Sequence, residues 1–280
     1  MSTMGAWIKA ARPRTLPLSL SGIIVGLGLT VEHGNMAPIA VIGCLLTTIF
    51  FQVLSNFAND LGDGMKGTDN AQRIGPTRAV QSGEISIRQM KMAVVVLGIL
   101  SVLSAGTLIY AAPAINSSTG IIFYTILAML CVVAAITYTV GKKAYGYHGL
   151  GDLMVFLFFG IVAVSGTKHL FEEEFSINEL FGALAIGAWS TMVLNLNNMR
   201  DIANDAASGK RTLVVLLGSK NAKGYHYVLA FLGCSAWIIL LYRCAIETEN
   251  YFILTAGLPV LLFATHIAQV IRITEPKSFD

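Results

Sequence analysis

The chain has 280 residues, of which 55% are hydrophobic and only 12% charged, with a formal net charge of +3. Soluble domains carry roughly a quarter charged residues, so this composition excludes a soluble globular protein. Apolar segments run the whole length without a soluble block, which predicts one integral membrane domain over residues 1–280.

Eight segments approach the roughly 20 apolar residues that a bilayer core requires. They fall at about 16–32, 36–58, 90–112, 119–140, 150–170, 177–196, 225–245 and 251–272. The stretch before the first has no small-residue cleavage pattern ahead of the next span. The first helix is therefore expected to stay in the protein as an anchor. It is short, and Gly22 and Gly26 give it a packing spacing.

The connection after the second segment is long, roughly 59–89, and opens N-D-L-G-D-G-M-K-G-T-D. Asn59 and Asp63 share a helical face with Asp60 beside them, and Asp69 is expected to return from a turn. Lys66, Arg73 and Arg78 follow, and Gly75-Pro76 and Ser82-Gly83 read as turns that fold the loop over the acids. Between the fourth and fifth segments lies Y-T-V-G-K-K-A-Y-G-Y-H-G-L-G-D. It offers Lys142 and Lys143 as anion contacts, and Tyr138 and Tyr147 as aromatic faces for a developing cation. Asp152 is a candidate to bind a phenol or accept a proton.

A second long connection, roughly 197–224, follows the sixth segment and opens N-N-M-R-D-I-A-N-D. Asn197, Asp201 and Asp205 stand at i, i+4 and i+8, one face of a helix. Arg200, Lys210 and Arg211 lie nearby. The two acidic loops start at corresponding places four spans apart, so the chain reads as two related halves with a site between them.

With the N-terminus in the cytoplasm, the inner segments hold all but Lys168 and Arg243 of the 19 basic residues, a positive-inside pattern. All the Asp residues fall on that same side. The acids of the opposite side are Glu: Glu32, Glu172, Glu173, Glu174, Glu179, Glu247 and Glu249. Cys44, Cys131, Cys234 and Cys244 are scattered and form no CxxC pair, so neither a disulfide framework nor a zinc site is indicated.

Carboxylates at a membrane boundary cost free energy unless something binds them, about 2.5–3.5 kcal/mol each by insertion scales. Two matched Asn/Asp sets point to a shared Mg²⁺ site, because Mg²⁺ takes a few carboxylates together with phosphate oxygens and water. A diphosphate carried by a lipid is the expected ligand, with Lys and Arg adding fixed charge. Structural ion pairs between these acids and the nearby basic residues are the competing explanation.

The stretches ARPRTLPLSLSG, SNFANDLGDGMKGTDNAQRIGPTRAVQSGEIS, YTVGKKAYGYHGLGD and NLNNMRDIANDAASGKRTLVVLLG together resemble the UbiA superfamily of intramembrane aromatic prenyltransferases. IGPTRAVQSG and YGYHGLGD point to its naphthoate branch. The resemblance implies an all-α transmembrane bundle. It implies Mg²⁺ held by Asn59, Asp63 and Asp69 and by Asn197, Asp201 and Asp205, the first set departing from the simple motif by two extra residues. It also implies transfer of a prenyl group from a polyprenyl diphosphate to an aromatic ring. In the naphthoate branch the acceptor is 1,4-dihydroxy-2-naphthoate, the ring carboxylate is lost and demethylmenaquinone results. Arg12 or Arg14 is then a candidate to hold that carboxylate, and a bacterial inner membrane is the expected setting. The superfamily has nine spans and eight are legible, so a ninth is expected beyond Asp280 or is lacking in this member. Transfer to 4-hydroxybenzoate or homogentisate stands as an alternative. So does a cation-coupled transporter, although transporter sites sit nearer the bilayer midplane.

Overall fold

A computed structural model of the chain describes residues 3–30 and 36–279. Glu32, counted above among the outer acids, lies outside them. Among the described residues the regular structure is helical, apart from one isolated bridge between His148 and Arg211. The helices are α1 (Met4–Ala11), α2 (Leu16–Gly28), α3 (Pro38–Lys66), α4 (Ile87–Ala111), α5 (Ser118–Thr137), α6 (Gly151–Phe171), α7 (Ile177–Arg200), α8 (Ile202–Ala207), α9 (Leu213–Glu247) and α10 (Tyr251–Arg272). Ser86, Ser117, Ser176 and Thr212 cap α4, α5, α7 and α9 by accepting from a first-turn amide.

Seven of these, α3 to α7 together with α9 and α10, are long and apolar enough to cross a membrane. The first of the eight expected segments is shorter than foreseen, at 13 residues. It begins only after Arg12 has turned the chain through a left-handed conformation (φ 51°) and Pro13–Thr15 has made a 3₁₀ turn. Large apolar side chains such as Val95, Ile99 and Leu103 on α4, and Ile122, Phe123 and Ile126 on α5, stay exposed. Such faces suit hydrocarbon rather than water, and the chain is a multi-pass membrane protein.

Packing divides the helices into two groups. α3, α4 and α5 form one; α6, α7, α9 and α10 form the other. α2 lies between them, against α3 on one side and α6 and α7 on the other. Gly22 and Gly26 allow this approach. A Cβ on Gly22 would stand 2.6 Å from Ala163 Cβ, and one on Gly26 2.6 Å from Val164 O. The packing spacing in the sequence is thus used against α6.

α6 is not a regular α-helix. Phe156–Val162 makes a π-helical segment, a feature often found at functional sites. Residues Met154, Phe158, Val162, Gly166 and Leu170, each four apart, all face one internal cavity, and so do Val155, Phe159, Ala163 and Thr167. In a pure α-helix an i, i+4 row winds around the axis. A π turn takes in more residues and winds it back, so both rows run straight along the wall. α9 is broken at Gly218 (φ 75°, ψ 159°), a conformation that suits glycine.

Candidate active site at the ends of α3 and α7

The two groups enclose a cavity of about 1130 Å³. Along α3 its wall runs from Cys44 to Asp63, roughly 28 Å at the helical rise. One end is apolar, with Ile23, Leu108, Ile109, Phe158 and Leu170 in the wall. The other end holds Asn59, Asp63, Asp69, Asn197, Asp201 and Asp205 together with Arg12, Arg14, Arg73, Arg78, Arg200 and Lys210.

The first acidic set is built by the end of α3. Asn59 and Asp63 lie on its last turns, and Asn59 Oδ1 accepts from Thr139 Oγ1 at 3.3 Å. Gly67 closes the helix in the left-handed conformation (φ 72°), which turns the chain so that the Asp69 amide donates back to Asp63 O at 3.4 Å. The second set spans α7 and α8. Asp201 leaves helical geometry (φ −95°, ψ 8°), yet its amide still bonds Asn197 O at 3.1 Å and the Asp205 amide bonds Asp201 O at 2.9 Å. The i, i+4, i+8 stack therefore survives the break.

The loop after α3 crosses to the second set. Asp60 anchors it, accepting from the Ala79 and Val80 amides, each at 3.1 Å. Each Asp60 oxygen thereby accepts one backbone amide, so the residue clamps the loop while also lining the cavity. Further along the loop, the Gly75 amide donates to Asp201 Oδ1 at 3.3 Å. Arg73 lies 3.2 Å from Asp69 and 3.6 Å from Asp201, and Arg78 lies 3.3 Å from Asp69 and 3.7 Å from Asp63. Lys210 reaches Asp63 Oδ2 at 3.3 Å, and Arg200 donates to Asp201 at 2.9 Å.

Burial and charge compete at each group. Burial pushes the Asp205 carboxyl up to about 6, with Lys210 only partly offsetting it. Asp69 is also raised by burial despite its two arginines. Burial would raise Asp201 as well, but the Arg200 hydrogen bond and Arg73 outweigh it and hold the carboxyl below its usual range. Burial works against the Arg78 charge, yet Asp63, Asp69 and Asp60 hold that guanidinium above its ordinary value. Arg12 falls to about 9, through burial first and Arg78 second.

Asp69 keeps unused hydrogen-bonding capacity. Both its oxygens are buried and accept no hydrogen bond, although two guanidinium nitrogens stand within 3.3 Å. The arginines sit at ion-pair distance with poor alignment, so the carboxylate keeps unmet capacity, which is costly in a buried place. Among the described residues no three acidic, His or Cys side chains close on one point as a metal cage. An all-oxygen donor set without a cage suits an ion that brings phosphate oxygens and water of its own, the habit of Mg²⁺.

The remaining expected residues divide. Tyr138 lines the cavity, with its ring against Gly146 and Gly151, and burial raises its phenol above the ordinary range. Asp152 is buried at the start of α6 but stands behind the wall, its carboxylate oxygens without hydrogen bonds. Tyr147 also stands behind the wall, bonded to Asp63. Lys66 is exposed and lies 3.8 Å over the Tyr147 ring. Lys142 and Lys143 are exposed and do not reach the cavity. Sequence reasoning missed the polar knot beside Arg12, where Gln52 and Asn56 donate to Thr15 and Asn56 also donates to Ala11 O. It missed Thr68 and Asn204 too, which carry no charge or spacing signal.

The sequence profile of the UbiA prenyltransferase family matches residues 19–279. The chain is 41% identical over 257 residues to the 1,4-dihydroxy-2-naphthoate octaprenyltransferase of Haemophilus influenzae, covering 91% of this chain and 82% of that one. It is 43% identical over 229 residues to the enzyme of the same name from Escherichia coli, covering 82% and 74%. A solved UbiA homologue from Archaeoglobus fulgidus, bound to DMAPP and Mg²⁺, shares the fold with a TM-score of 0.67 at 18% identity, over 96% of this chain and 88% of that one.

Proposed function

The chain belongs to the UbiA prenyltransferase family, and on that footing we propose that it transfers a polyprenyl group from its diphosphate to 1,4-dihydroxy-2-naphthoate. The new bond forms at a ring carbon, diphosphate leaves, and the ring carboxylate departs as carbon dioxide. The observation that carries this reading is the convergence of two Asn/Asp sets and six cationic side chains at one end of an apolar cavity. The high identity to two bacterial octaprenyltransferases supports the acceptor.

We infer that Asp63, Asp69, Asp201 and Asp205, with Asn59 and Asn197, hold Mg²⁺. When bound, the ion supplies Lewis acidity that neutralises the leaving diphosphate. Arg73, Arg78, Arg200 and Lys210 already face this volume and add fixed positive charge to the phosphate oxygens. The apolar length of the cavity receives the isoprenoid tail and keeps water from the allylic cation. Tyr138 presents a ring face to that cation. Arg12 and Arg14 line the same end of the cavity, and Arg12 Nη2 is buried without a hydrogen bond, free to take the acceptor carboxylate. Bacterial relatives and the side on which basic residues gather support a cytoplasmic membrane with both acidic loops inside.

The test is to incubate the purified protein with octaprenyl diphosphate, Mg²⁺ and, in separate reactions, 1,4-dihydroxy-2-naphthoate, 4-hydroxybenzoate and homogentisate. Mass spectrometry should find demethylmenaquinol, or the demethylmenaquinone that air oxidises it to, with the naphthoate alone. Product with another acceptor instead would move the protein to that branch. No product with any would refute transfer.

A further inference from the structure

Tyr147 does not line the cavity, yet it bonds both loops that carry the acidic sets. Its hydroxyl donates to Asp63 Oδ1 at 2.8 Å. The tyrosine hydroxyl oxygen also lies 2.6 Å from Thr68 Oγ1. The phenol has one proton and gives it to the carboxylate, so Thr68 is the donor of the second bond. Thr68 is itself fixed from the other half of the molecule, because Asn204 Nδ2 on α8 donates to its backbone oxygen at 2.8 Å. The Tyr147 carbonyl accepts from the Arg211 amide at 3.2 Å, beside the second acidic set. Lys66 and Lys210 lie over the ring, at 3.8 and 5.4 Å from its centre.

We propose that Tyr147 is a positioning residue for the donor site, orienting Asp63 through its hydroxyl and tying that orientation to the second acidic helix through Thr68 and Asn204. Oδ1 of Asp63 is committed to the tyrosine. Oδ2, which faces Lys210 and Arg78 at 3.3 and 3.7 Å, is the atom turned to the cavity. Rotation of the carboxylate would exchange the two, and the tyrosine hydroxyl opposes that rotation. The side chain thus does for an oxygen ligand what a hydrogen-bonded carboxylate does for a ligating histidine. This inference rests on the reading of the two Asn/Asp sets as the Mg²⁺–diphosphate site.

The Tyr147→Phe variant isolates the hydroxyl, because the ring under Lys66 and Lys210 remains. Purified protein in lipid nanodiscs is titrated with Mg²⁺ in the presence of geranyl S-thiolodiphosphate, an uncleaved donor analogue, with heat as the readout. Tyr147→Phe should weaken apparent Mg²⁺ affinity by about 10- to 100-fold, the usual range for a group that orients a metal ligand, and leave the KM for the aromatic acceptor unchanged. Thr68→Val should weaken it in the same direction, and Thr68→Ser should restore it. Should the tyrosine variant fail to fold, the Thr68 pair decides alone. Unchanged affinity in Tyr147→Phe, or in Thr68→Val where that pair decides, would overturn the proposal. Wild-type protein that takes up no analogue in a Mg²⁺-dependent way would instead refute the donor site itself.

Discussion

The backbone amide of Gly75 donates to Asp201 Oδ1 at 3.3 Å across 126 residues of sequence. The loop that follows the first acidic set therefore grips the second. A Cβ at Gly75 would stand 2.6 Å from Arg200 Nη2, the tip of a flexible side chain that can shift. Gly75→Ala should leave the melting temperature within a few degrees and still lower donor affinity several-fold by displacing Arg200. Titration with the uncleaved analogue checks this.

Asp60 and Asp63 are neighbours on α3 with different tasks. Asp60 clamps two loop amides, and Asn in its place would put an amide group against one of those donors. A lost bond of this kind to a charged, buried group costs about 1–3 kcal/mol. Asp60→Asn should therefore lower the melting temperature and raise donor KM. Asp63→Asn should leave both loop bonds in place and abolish Mg²⁺-dependent turnover. Identical behaviour of the two variants would contradict the division.

Asp205, raised to about 6 by burial, gives two opposite pH trends. Its folded form binds the proton more tightly than the unfolded chain, near 3.9, so its contribution to stability is full below that value and is lost as pH rises to about 6. In the proposed Mg²⁺ site the metal would need this group as a carboxylate, so its binding runs the other way. Between pH 7 and 5 the Mg²⁺-free protein should gain thermal stability from this group while apparent Mg²⁺ affinity falls. Asp205→Asn should remove the stability trend, which a thermal series in the absence of Mg²⁺ measures.

Arg12 holds a left-handed backbone (φ 51°) and points a buried, unbonded Nη2 toward the cavity. Arg12→Gln should raise the KM for a carboxylate-bearing acceptor at least tenfold and weaken analogue binding at the donor acids far less. Arg12→Lys should rescue it only in part, since an ammonium lacks the fork that matches a carboxylate. Equal KM values across the three proteins would exclude Arg12 from the acceptor site.

Gly26 sets the approach of α2 to α6. A leucine there would meet Val164 O at 2.6 Å and Thr167 Cβ at 2.8 Å, and backbone cannot yield as a side chain does. The variant should be destabilised by about 1–3 kcal/mol, read as a lower melting temperature in detergent.

What the sequence disclosed follows from the range of each signal. The membrane helices were legible because hydrophobicity is a property of the segment itself. The Asn and Asp positions that the structure brings to the cavity were legible because helical spacing fixes a shared face. Asp60 was read with them, but its partners Ala79 and Val80 lie in a loop without periodicity, so its clamp role could not be seen. Lys142 and Lys143 looked equivalent to Lys210 by charge, yet only Lys210 is turned inward, because its amide bonds Asp205 O at 2.8 Å and the chain then doubles back to Tyr147. The 13-residue α2 was overestimated because apolar residues continued past its end.

The π segment of α6 has an evolutionary consequence. It holds one residue more than a plain α-helix needs, so deleting a single residue anywhere in Phe156–Val162 would leave every backbone bond satisfied and the helix intact. The wider turns of the segment absorb that extra residue, so residues on either side of the deletion would keep their direction, and Met154 and Leu170 would both still face the cavity. The change would be felt only by side chains inside Phe156–Val162, which makes this segment a place where lineages of this fold can alter their interior without losing their insertion.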